Sequence, residues 1–246
     1  MIILGMKPSE MAKEAVSDLK RLQTWFNDQS PGAYRWAKQQ AKKTPLPFWW
    51  SKDWKSPNGN LWRIMWGFEN TKPLNGPIIQ YTIIEGMCGK YLLRPQVTAD
   101  GFILMIYLPH FFKRYRQRMS LGDKLRTEQL MRRYLRNNTS ATNTGEETNI
   151  ELTSKEGIGL GNFVFANIML MKTFITYDMS KGNQVERFNE GLDGTKNMGA
   201  ISKSMQEVVS EMTALGVEIK DFKAKMEAKI EEVIKEKEKE LNNNKE

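Results

Sequence analysis

The stretch Gly101-Phe102-Ile103-Leu104-Met105-Ile106-Tyr107-Leu108-Pro109-His110-Phe111-Phe112-Lys113-Arg114-Tyr115-Arg116-Gln117-Arg118 decides how this chain is read. Its first half is an apolar run of strand length, opened by the turn pair Asp100-Gly101. Pro109 ends that strand because it has no amide hydrogen for a ladder, while its fixed φ suits the first position of a helix. Beyond it, Phe111, Phe112, Tyr115 and Met119 fall on one helical side. A strand running straight into a one-sided helix predicts a helix packed on a sheet.

Working back from this junction, residues 48–108 are rich in tryptophan, isoleucine and tyrosine and are punctuated by turns. Asn58-Gly59-Asn60 reads as a hairpin turn leading into Leu61 to Phe68, and Gly86 and Gly89 bracket another before Lys90 to Arg94. The pattern predicts an antiparallel meander of about four strands. Trp62, Ile64 and Trp66 alternate with Arg63 and Met65, so one strand face is expected to be buried. Further upstream, Met11, Ala15, Leu19, Leu22 and Phe26 recur at helical spacing. Pro31-Gly32 is expected to break that helix and start a second, short one that ends near Pro45.

Working forward, Gly122 separates the first helix from a second, carried by Leu125, Leu130, Met131, Tyr134 and Leu135. Asn137 to Asn149 is polar and reads as a loop, and Asn162 to Thr176 is β-forming and completes the sheet. Gly157, Gly159 and Gly161 match neither a dinucleotide fingerprint nor a P-loop, so turn and hairpin use is the expectation. From Ile201 to Met226 apolar residues alternate three and four apart, the rhythm of a coiled coil, with Gly216 inside it. The resulting expectation is an α+β chain: N-terminal helices, an antiparallel sheet with a basic helical pair packed on it, and a long C-terminal helix with coiled-coil-like pattern. Its parts are a domain over residues 1–180, a linker over 181–199 and an amphipathic helix over 200–246. That last helix either packs on its own domain, self-associates or engages a partner protein.

Composition narrows the chemistry. One cysteine, Cys88, and one histidine, His110, exclude a disulfide framework and any zinc site built on several such ligands. No cofactor or metal is expected. The longest apolar run, near Phe163 to Leu170, is far short of the ~20 residues of a membrane helix, so no membrane partner and a cytoplasmic setting are the default. Asp53, Glu69, Glu85 and Asp100 are carboxylates at strand ends with no spacing that pairs two of them.

The formal charge of +8 is concentrated. Between His110 and Arg136 lie Lys113, Arg114, Arg116, Arg118, Lys124, Arg126, Arg132, Arg133 and Arg136, opposed only by Asp123 and Glu128. Guanidinium groups in such excess suit phosphates, because arginine donates in a planar fork. RNA or DNA is therefore the expected partner, with Lys113, Arg116, Lys124, Arg126, Arg132 and Arg133 as backbone contacts; a merely solvated charged face is the other reading. His110, Arg114 and Arg118 stand four apart and share one helical side. A neutral imidazole there is a competent proton acceptor, and two arginines further along are placed to hold a phosphodiester. For RNA the 2′-hydroxyl is an internal nucleophile, so cleavage needs no metal. The other reading of His110 is a helix-capping or packed histidine.

The run Leu108 to Arg118 resembles the His-x-x-x-Arg-x-x-x-Arg helix of the barnase–EndoU–colicin–RelE-like nuclease superfamily, in which a histidine-headed helix packs on a curved antiparallel sheet. Lys172-Thr173-Phe174 is similar to the terminal strand of such domains. The resemblance covers about a quarter of the chain. It implies a toxin-like, metal-independent endoribonuclease, with His110 as acid/base, Arg114 and Arg118 as phosphate ligands and Thr173 as a strand-borne polar contact. The meander before the helix and the long polar loop after it depart from the compact family pattern. The alternative from another class is a non-catalytic interaction or scaffold protein.

Overall fold

The computed structural model describes residues 1–180 apart from 4, 69–75, 99–100, 146–147 and 166. Along the chain run α1 (Pro8–Gln40), β1 (Phe48–Lys55), β2 (Leu61–Phe68), β3 (Ile78–Gly86), β4 (Gly89–Thr98) and β5 (Gly101–Tyr107). Then come α2 (Pro109–Arg118), α3 (Thr127–Asn137), β6 (Ala141–Asn143), β7 (Asn149–Ser154), β8 (Gly157–Phe165) and β9 (Ile168–Ile175). All nine strands form one sheet, in the order β1-β2-β3-β4-β5-β9-β8-β7-β6.

The sheet is mixed, which corrects the expected antiparallel one. β5 and β9 pair in parallel, Leu104 opposite Ile168 and Tyr107 opposite Met171, while every other pair is antiparallel. The reason is topological. After α2 and α3 the chain builds a second meander and docks it on the first by its last strand. Three reversals, from β6 through β7 and β8, leave β9 antiparallel to β6, and β9 lies beside β5 pointing the same way. The first meander has five strands, because residues 48–55 form a strand of their own ahead of the Asn58-Gly59 turn. The expected loop over 137–149 contains the short strand β6, and residues 162–176 hold the end of β8 and the whole of β9 rather than one strand. The long C-terminal helix, residues 200–246, and the linker before it lie outside the described residues. Among the described residues the architecture is a nine-stranded mixed sheet with three α-helices.

Helix α1 is also a correction: one helix of 33 residues runs through Pro31. Proline removes the amide that would bond the Asn27 carbonyl. The Ser30 hydroxyl donates to that carbonyl at 2.9 Å and takes its place. Ala33 and Ala37, both buried, carry the apolar stripe past the proline, so packing overrides the local break.

Each sheet face has its own core. Trp62, Ile64, Trp66, Phe68, Leu93, Leu104 and Ile106 meet α1 through Met11, Ala15, Leu22 and Phe26. Met65, Tyr81, Leu92, Met105, Tyr107 and Met171 meet α2 and α3 through Phe111, Phe112, Tyr115, Leu130, Met131, Tyr134 and Leu135. Asp18 of α1, with no exposed surface, accepts from Asn60 Nδ2 at 2.6 Å and from Trp62 Nε1 at 2.8 Å, and so fastens α1 to the β1–β2 hairpin. The glycine trio serves the hairpin of β8 and β9. At Gly157, with φ of +150°, a β-carbon would meet the Ile175 carbonyl oxygen at 2.3 Å. No described helix is long and apolar enough to cross a membrane.

Candidate nucleic-acid interface

Helix α2 is held in one rotation by aromatic contacts beneath it. Phe111 packs on Tyr107, Tyr134 and Phe174 with ring centroids 5.0, 5.1 and 6.0 Å apart, edge to face. Tyr115 meets Tyr134 and Phe174, each at 5.1 Å. With this side buried, the 3.6-residue period turns His110, Lys113 and Gln117 outward, and all three are exposed.

The four residues expected to act together are in contact, in two pairs. Arg114 Nε donates to His110 Nε2 at 3.2 Å, and its Nη1 donates to Gln117 Oε1 at 3.2 Å. In the first bond Nε2 of His110 is the acceptor. Arg118 donates to the Phe174 carbonyl and lies 3.5 Å from Thr173 Oγ1. β5 stops pairing with β9 at Met171, so beyond that point β9 has only β8 beside it and Arg118 supplies a missing donor. Burial, then the neighbouring Arg114, pushes the Arg118 guanidinium below its ordinary pKa. His110 and Arg114 thus face solvent, while Arg118 is largely occupied by the backbone it supports.

The six expected backbone contacts divide in the same way. Arg116 donates to the carbonyls of Gly122 at 2.9 Å and Leu125 at 2.6 Å, fixing the loop between α2 and α3. Arg133 pairs with Glu156 at 3.0 Å, and Arg132 Nε donates to the Tyr81 hydroxyl at 3.1 Å. Lys113, Lys124 and Arg126 are exposed and have no carboxylate within ion-pair distance among the described residues.

Sequence reasoning missed the residue that assembles this layer. Glu156, in the β7–β8 turn and 11% exposed, accepts from Tyr115 Oη at 2.6 Å, Arg133 Nη2 at 3.0 Å, Asn137 Nδ2 at 2.6 Å and Asn138 Nδ2 at 3.0 Å. One carboxylate therefore ties α2, α3 and the second meander together. Burial, then this bond, holds the Tyr115 hydroxyl far above its ordinary pKa. Nothing in Lys155-Glu156-Gly157 distinguishes it from a solvated turn acid. It was also not foreseen that Glu128 accepts from Lys90 at 2.7 Å and faces Arg63 at 3.3 Å, nor that Arg136 lies 5.8 Å over the Trp49 ring. Of the strand-end acids, Asp53 approaches Arg63 at 4.0 Å and Glu85 pairs with Lys90 at 2.9 Å; Glu69 and Asp100 lie outside the described residues. Cys88 is exposed in the β3–β4 turn. The described residues contain no group of three or more histidines, cysteines or acids placed to hold a metal ion.

No protein-family model, curated protein or solved structure matches this chain. The nuclease resemblance accordingly rests on the residues that carry it.

Proposed function

We propose that this protein binds RNA or DNA along the outward side of α2 and the loop into α3, through phosphate contacts. One observation carries the reading. Lys113, Arg114, Lys124 and Arg126 present cations without acidic partners, on a helix and loop held rigid by other arginines of the same segment. Cations placed this way neutralise phosphates and release counterions, so binding must weaken steeply with salt.

The test is fluorescence anisotropy of the full chain with a labelled RNA and its DNA equivalent over a salt series. Each of Lys113→Gln, Arg114→Gln and Lys124→Gln is expected to weaken binding and to reduce the salt slope by about 0.7–0.9. Unchanged slopes in all three, or no binding at low salt, would overturn the proposal.

The closeness of His110 and Arg114 supports a sharper version, cleavage of RNA in which the phosphate draws Arg114 away and frees His110 Nε2 to accept the proton. The same preparations, incubated with RNA in EDTA, decide it. His110→Ala should abolish cleavage and leave binding intact; equal cleavage by both proteins, or none by the wild type, refutes the catalytic version alone.

A further inference from the structure

We propose that the hollow at the start of α3 holds a terminal phosphate monoester of the bound polynucleotide. This rests on the reading that the α2–α3 face binds nucleic acid, and adds a preference for strand ends. The hollow measures about 550 Å³ and is lined by Lys90, Arg126, Thr127, Glu128, Gln129 and Arg132. That volume falls within the range of small-ligand sites and accommodates a terminal nucleotide.

Charge selects the ligand. Of the three cations in the lining, Lys90 is paired with Glu128 and Glu85, which leaves Arg126 and Arg132 as two positive charges without an acidic partner among the described residues. A terminal phosphate monoester carries close to two negative charges at neutral pH, whereas a backbone diester carries one. Glu128 is engaged by Lys90 at 2.7 Å and Arg63 at 3.3 Å, and neither Arg126 nor Arg132 lies within ion-pair distance of it. Arg132 has a neutral partner, the Tyr81 hydroxyl at 3.1 Å, and no carboxylate within ion-pair distance among the described residues. Arg126 is exposed; its backbone amide donates to Gln129 Oε1 at 2.9 Å, and its guanidinium has no acidic partner among the described residues.

The next turn repeats the excess. Arg136 lies over Trp49 rather than beside an acid, and burial followed by Arg132 lowers its pKa. An anion between Arg126 and Arg132 relieves this crowding, with the Thr127 hydroxyl as a further donor and the positive end of α3 adding attraction of the same sign.

The experiment compares three single strands of one sequence, bearing a 5′-phosphate, a 3′-phosphate or neither, for binding to the full chain at fixed salt. One phosphorylated strand should bind about tenfold more tightly than the unmodified one, and which one identifies the end recognised. Arg126→Gln and Arg132→Gln should each remove most of that advantage. Arg126 is exposed, so its variant keeps the test valid should loss of the Tyr81 bond disturb folding in the other. Equal affinity for all three strands, or an advantage that survives both substitutions, overturns the inference and leaves the interface standing. Failure of all three to bind at low salt overturns both.

Discussion

The two faces of the sheet are fastened by the same device with different donors. On one, Asp18 of α1 gathers neutral donors, Asn58, Asn60 and Trp62, from the first hairpin. On the other, Glu156 gathers Tyr115, Asn137, Asn138 and a cation, Arg133. The α1 face closes without drawing on the basic segment. The α2–α3 face divides that segment's cations into fasteners, Arg116, Arg118 and Arg133, and cations without an acidic partner among the described residues, Lys113, Arg114, Lys124 and Arg126. A high local charge therefore states how many cations there are, and contacts state which are left for a ligand.

The largest effect expected is from Glu156→Ala. It leaves Arg133, Tyr115 and Asn137 without this acceptor and Asn138 with one acceptor fewer, and should cost about 3–5 kcal/mol in denaturant unfolding. Asp18→Ala, which strands neutral donors only, should cost less, about 2–4 kcal/mol. The reverse order would show that the charged donor is not what sets the two fastenings apart.

Alkaline pH should also strike the α2–α3 face selectively. Tyr107, Tyr115 and Tyr134 have pKa values raised, first by burial, above the ordinary 10.0. A tyrosine whose folded pKa exceeds its unfolded value contributes full stability below the unfolded pKa and loses it as pH rises towards the folded one. Stability should therefore be flat up to about pH 10 and then fall by up to about 1.4 kcal/mol per pH unit for each buried tyrosine. Loss of near-ultraviolet dichroism measures it, and a flat profile past pH 11 or so would contradict the burial of these hydroxyls.

The smallest effects separate fasteners from exposed cations. Arg118→Gln, which removes a donor to the Phe174 carbonyl, should cost about 1 kcal/mol; Lys124→Gln should stay within about 0.5 kcal/mol. Equal costs for the pair would remove the distinction on which the proposed interface depends.

Much of the local structure was legible in the sequence. The junction Tyr107-Leu108-Pro109-His110 ends a strand and starts a helix, as proline chemistry requires, and the Trp62/Ile64/Trp66 face is buried as its period of two implies. The outward placement of His110 also followed from helical spacing. The continuity of α1 did not, because only the buried Ala33 and Ala37 and the Ser30 hydroxyl show that Pro31 is tolerated. Nor did the parallel pairing of β5 and β9, which depends on which end of a distant meander docks.

What the sequence by itself determined is the periodic part: which residues of the first meander and of α2 face the core, where that meander turns at Asn58-Gly59 and between Gly86 and Gly89, and that residues 110–136 concentrate positive charge. Tertiary structure decided the relational part: the order of the strands, the carboxylates that join separate elements, and the cations spared from internal duty. The physical reason is range. Period and turn chemistry act over a few residues along the chain, whereas Glu156 meets Tyr115 across 41 positions and Arg118 meets Phe174 across 56, contacts that exist only once the sheet has formed.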